Sequence, residues 1–71
     1  MASSVYRVID VIGTSDQSWE DATAAAVATA SGSLRDLRVA EVIKLDVTID
    51  EDGKVQQYRA RIALSFKYET D

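Results

Sequence analysis

Between Val5 and Ile12 the chain reads VYRVIDVI, apolar and β-branched except for Arg7 and Asp10. That run predicts a first strand, closed by Gly13-Thr14-Ser15. The pattern then changes. Ser18 is placed to accept from a first-turn amide, and Glu20 and Asp21 suit the positive end of a helix dipole. The segment that follows carries Ala22, Ala24, Ala25, Ala26, Ala28 and Ala30, with Val27 as its sizeable apolar side chain. Alanine has the highest helix propensity, so a helix is predicted to about Ser31 or Ser33, with Gly32 as a natural stop. A helix surface this smooth can approach a sheet closely.

Leu37 to Asp50 predicts a long second strand. Asp50-Glu51-Asp52-Gly53 then reads as a hairpin turn, and Val55 to Tyr68 as the return strand. The return strand alternates cleanly. Tyr58, Ala60, Ile62, Leu64, Phe66 and Tyr68 share one face, against Gln57, Arg59, Arg61, Ala63, Ser65 and Lys67 on the other. The second strand does not alternate. Val39, Ile43, Leu45, Val47 and Ile49 stand at odd positions, and Ala40 and Val42 at even ones. One helix covers one face of a three-stranded sheet, and no segment is left for the other. Two explanations stay open: self-association through that face, or a bulge that switches the inward set partway along the strand.

Composition narrows the function. A chain of 71 residues is one domain, and it buries only about 60% of its unfolded surface, which makes a lone core marginal. There is no Cys, His or Pro, so disulfides, zinc fingers, thiolate nucleophiles and Ser-His dyads are excluded. Lys and Arg number 8 against 12 acids, a net charge of −4, which argues against a nucleic-acid partner. No apolar run approaches the ~20 residues that cross a bilayer. Met1-Ala2-Ser3-Ser4 has neither a basic nor an apolar leader region. The expectation is a cytoplasmic protein with no membrane partner.

Candidate chemistry is sparse. Lys44, Lys54 and Lys67 stand at solvated positions, unsuited to a Ser-Lys dyad, and the carboxylates of Asp50, Glu51 and Asp52 share an exposed turn. No enzyme is expected. Asp46, Asp50, Glu51 and Asp52 offer hard oxygen ligands for calcium or magnesium. As an EF-hand loop with Gly53 at its sixth position, however, the segment fails at both anchors, Thr48 and Arg59. A calcium site would draw on scattered residues, across subunits if need be; plain surface acids are the simpler reading. Gly13-Thr14-Ser15 before the helix has one Gly, no Lys and Asp16 alongside, so it reads as a turn and cap rather than a phosphate loop. Trp19 in the first helical turn reads as a packing anchor.

The arrangement resembles the dodecins. The resemblance rests on Val5 through Ser15 (VYRVIDVIGTS), Leu34-Arg35, Leu37, Glu41-Val42 and the closing Ser65-Phe66-Lys67. It implies an α+β fold, β-α-β-β, with a three-stranded antiparallel sheet wrapped on one helix. Residues 1–71 would form a single domain that assembles with itself as a hollow homododecamer. Flavin-binding dodecins carry a Trp early in the second strand and a Gln in the third; the matching positions here are Val39 and Arg59. Both pocket residues are therefore replaced, and flavin is not the expected cofactor. Ser18-Trp19-Glu20, Arg38-Val39-Ala40, Val42-Ile43, Asp46 and Asp50 with Gly53-Lys54 look like the calcium dodecins. That likeness implies calcium, with Asp46 and Asp50 as candidate metal ligands. The alternatives are a flavin carrier with an altered pocket and a shell without a small ligand. In such a shell Val39, Ile43 and Leu45 would be buried between subunits, and its charge, on the order of −48, would draw cations inward.

Overall fold

The computed structural model describes residues 3–68; Met1 and Ala2, read above for a leader, lie outside the described residues. The elements follow the predicted order: β1 (Tyr6–Ser15), α1 (Trp19–Ser31), β2 (Leu37–Ile49) and β3 (Val55–Lys67). The fold is α+β, with three strands in the order β1-β3-β2 and both pairings antiparallel. The central place falls to β3, the strand with the cleanest alternation.

α1 begins where the sequence predicts. The Ser18 hydroxyl accepts from the Asp21 amide at 2.9 Å, satisfying an orphan donor of the first turn. Ser15 Oγ accepts from the amides of Gln17 at 2.9 Å and Ser18 at 3.4 Å, and donates to Asp21 at 2.7 Å. The Gly-Thr-Ser segment thus acts as a turn and cap. It is also strand: β1 runs three residues beyond Ile12, with Gly13 opposite Ala60 and Ser15 opposite Tyr58. The glycine that looked like a terminator lets the helix lie against the sheet. A Cβ on Gly13 would stand 2.1 Å from the Ala22 carbonyl oxygen and 2.9 Å from the Ala26 Cβ. Gly32 caps the helix in right-handed geometry, φ −71°, so its stop does not use glycine's freedom. The left-handed residue of that connection is Asp36, φ 58°.

The helix meets the sheet through Ala22, Ala26 and Ala30, which pack on Ala60, Ile62 and Leu64, with Ile9, Val11, Val27, Leu34 and Leu37 alongside. Ile62 and Leu64 are the largest fully buried side chains among the described residues. This is a thin core, and it lies over β1 and β3 rather than β2. The molecule is correspondingly long, 57 × 20 × 15 Å with a radius of gyration of 14.8 Å, against about 11 Å for a compact chain of this length.

Irregular pairing resolves the mixed pattern of β2. Val42 faces Ile62, and the next pair is Lys44 with Arg61, leaving Ile43 unpaired. This bulge moves the helix-side set from Ala40 and Val42 to Leu45 and Val47, opposite Leu64, Ile62, Ala60 and Tyr58. Val39, opposite Ser65, lies on the other face. Val39, Ile43 and Leu45 therefore do not form one face, as the odd-position count had suggested. All three remain exposed all the same, with Val8 and Ile12 of β1.

Gly13→Ala should lower stability by about 3 kcal/mol, because the added methyl forces helix from sheet. Gly32→Ala, whose added Cβ would meet the Thr29 carbonyl oxygen at an ordinary 3.4 Å, should change it by less than about 1 kcal/mol. Urea denaturation midpoints under one set of conditions check both.

Candidate functional site

The polar face of the sheet, opposite α1, carries the cross-strand ion pairs. Across its three strands the register sets Thr14, Arg59 and Asp46 in one row and Ile12, Arg61 and Lys44 in the next. Antiparallel pairing brings directly opposed side chains within reach. Arg59 Nε donates to one carboxylate oxygen of Asp46 at 2.8 Å and its terminal NH2 donates to the other at 3.3 Å. Arg61 binds Asp10 through Nε at 3.2 Å and its terminal NH2 at 2.7 Å, both on one oxygen.

Two residues singled out for different roles, Asp46 as a metal ligand and Arg59 as a pocket position, are thus partners. The hydrogen bond from Arg59 holds the Asp46 carboxyl below the usual carboxylate range, and the Asp46 carboxylate raises the Arg59 guanidinium in return. Both shifts favour the charged forms, the reverse of what a neutral acid or a free base requires.

Asp50 is committed elsewhere. Its Oδ1 accepts from the amides of Asp52 at 2.9 Å and Lys54 at 3.0 Å, and its backbone exchanges bonds with Lys54 and Gly53. With Gly53 at φ 78°, this is a hairpin turn closed by an Asx contact. Asp46 and Asp50 share no partner, and among the described residues no group of three or more acidic side chains stands ready to hold a metal ion. Calcium takes 6–8 oxygen ligands, so the described part of one chain does not complete a calcium site.

Val39 and Arg59 are also apart. Val39 stands opposite Ser65, six positions along β3 from Arg59, a separation of about 20 Å at the rise of a strand. A single flat ligand touching both positions would need two copies of the chain.

Sequence reasoning missed what Trp19 holds. Its indole Nε1 donates to the Asp46 carbonyl at 3.0 Å, and its ring meets Tyr58 edge-on at 5.1 Å between centroids. The helix start is thereby pinned to β2 and β3 beside the ion pair. Tyr58 at an inward position of β3 was the available signal, since buried aromatics seek one another. A second cluster also escaped notice: the Arg7 guanidinium lies 5.6 Å from the Phe66 ring centre and 5.7 Å from that of Tyr68.

Comparison with known proteins agrees with this architecture. The family model described as Dodecin matches residues 5–69. Calcium dodecin of Mycobacterium tuberculosis is 53% identical over 64 residues, covering 90% of this chain and 89% of that protein. The crystal structure of that calcium-chelating antigen, described as having a novel calcium-binding site, superposes with a TM-score of 0.82 at 50% identity, over 96% of each chain. Dodecin from Streptomyces coelicolor superposes with a TM-score of 0.91 at 34% identity, over the whole of both chains.

Because its folded-state pKa is depressed, the Asp46 carboxyl contributes stability above its unfolded value and loses it as pH falls through the lowered folded one. A pH titration of its side-chain carbon resonance should give a midpoint below that of a model peptide. In Arg59→Gln the midpoint should move up toward the ordinary value; an unchanged midpoint contradicts the assignment.

Proposed function

The chain belongs to the dodecin family, and from that premise we propose a non-enzymatic cytoplasmic homododecamer that binds calcium or another hard divalent cation, in storage or buffering. The single domain spans residues 1–71, and the partner is the chain itself. Assembly is supported by the thin core and by the apolar residues that one chain leaves exposed on β1 and β2. At about 25 cal/mol per Å², burying them between copies supplies what the lone core lacks. Closing the shell also leaves fewer open edges on β1 and β2.

The likeness to a calcium-chelating relative carries the ligand reading. The acidic balance, 12 acids against 8 bases, supports it by drawing cations toward the assembly. Asp46 and Asp50 are the proposed ligands, with the remaining oxygens supplied where copies meet. The pocket positions Val39 and Arg59 disfavour flavin. Valine has no ring to stack, and the Arg59 side chain is engaged by Asp46 and offers no acceptor.

Native mass spectrometry should report twelve chains in one particle, and calorimetry on chelator-stripped protein should show heat below millimolar calcium. A cooperative 7.8 kDa monomer at micromolar concentration would remove the shell, and absence of heat at millimolar calcium would remove the cation. Quenching of riboflavin fluorescence on mixing would instead favour the flavin carrier.

A further inference from the structure

We propose that the tip of the β2–β3 hairpin of one copy seats in the groove between β1 and α1 of the next, so that copies join head to tail. The inference rests on the proposed self-association and adds to it which two surfaces meet.

The groove is one half of the contact. It runs between α1 and the free edge of β1 and encloses about 470 Å³. Ile9, Val11 and Gly13 line it from the strand, Ala26, Thr29 and Ala30 from the helix, and no charged side chain lines it. At Ser33 and Leu34 it adjoins a second depression, of about 410 Å³, that gathers Arg7, Arg35 and Lys67 and no acid. None of these three cations has an ion pair among the described residues. In a chain of net charge −4, an apolar groove that ends in bases fits an apolar segment that ends in acids.

The hairpin is such a segment. β1 pairs with β3 no further than Tyr58, so the residues from Thr48 to Gln57 project past the third strand as a two-stranded ribbon. A ribbon of that kind is marginal in water by itself. It carries Ile49 opposite Val55, 65% and 51% exposed. Beyond that pair stand Glu51 and Asp52, which have no ion pair among the described residues.

The spacings agree. Asp52 is three positions from the Ile49–Val55 pair, about 10 Å at the rise of a strand. Three positions from Arg7 along β1 is Asp10, between Ile9 and Val11. An acidic tip at the basic depression therefore sets Ile49 and Val55 on the apolar floor. A chain's own hairpin does not reach, because it leaves the sheet at the Ser15 end of β1, eight positions and about 26 Å from Arg7. The occupant is a second copy, and a contact between opposite poles of the chain is heterologous, the kind that closes into rings.

Cross-linking tests this, since the chain has no Cys of its own. A variant carrying Thr29→Cys and Val55→Cys should, on oxidation, pass mostly into covalent dimers and larger species on non-reducing electrophoresis. Thr29 is ten residues of helix, about 15 Å, from the Trp19 that touches Tyr58, so the link forms between copies. Thr29→Cys with Gln57→Cys, on the other face of the ribbon, should stay monomeric on the gel. Charge reversal gives a second readout. Arg35→Glu and Asp52→Lys should each raise the concentration at which the particle dissociates by about fivefold, and the two together should restore it. Circular dichroism melts establish that each variant folds.

If wild type is a monomer by native mass spectrometry, this contact and the self-association fall together. If wild type assembles but either the link or the restoration is absent, or Gln57→Cys links equally well, the contact is overturned and self-association stands. A single chain retaining a foreign peptide or lipid would give the groove another occupant and overturn the contact as well.

Discussion

Close contact between a smooth helix and a sheet governs this molecule. Ala22, Ala26 and Ala30 lie on Ala60, Ile62 and Leu64, and Gly13 gives the helix backbone room to touch β1. Such contact is tight but narrow. Small side chains bury little area each, so one α-helix of 13 residues shields β1 and β3 and leaves much of β2 beyond its edge. The thin core, the elongated outline and the exposed valines and isoleucines follow from that choice of residues.

The sheet answers in two ways. Within the chain, the Ile43 bulge rotates β2 so that Leu45 and Val47 stay on the helix side. Trp19 then reaches across to the Asp46 carbonyl and Tyr58, tying the hairpin to the helix start. Beyond the chain, the groups left exposed offer the apolar area through which copies can associate.

Charge is distributed with similar restraint. The polar face carries two cross-strand pairs, Asp46 with Arg59 and Asp10 with Arg61, each partly exposed and so of small worth to stability. Their importance is positional. Asp46 stands where a cation ligand is proposed, yet it is already neutralised within the chain. Asp50, the other proposed ligand, caps its own turn.

Much was legible in the residue pattern. The alternation of β3, the alanine run after Ser18 and the Asp-Gly turn each depend on neighbours a few positions away, and local rules of period, capping and turn geometry read them directly. The boundary at Gly13 was not legible, because the reason for that glycine is the Ala22 carbonyl on another element. The two-faced pattern of β2 admitted both a bulge and a partner, since a bulge is specified by the strand alongside rather than by the strand itself. The contacts of Asp46 with Arg59, 13 positions away, and with Trp19, 27 away, likewise belong to the register. Sequence determined which elements form and which faces are apolar, because those are properties of short segments. Only the tertiary structure decided which carboxylate meets which cation, because that depends on how strands far apart in the chain are laid side by side.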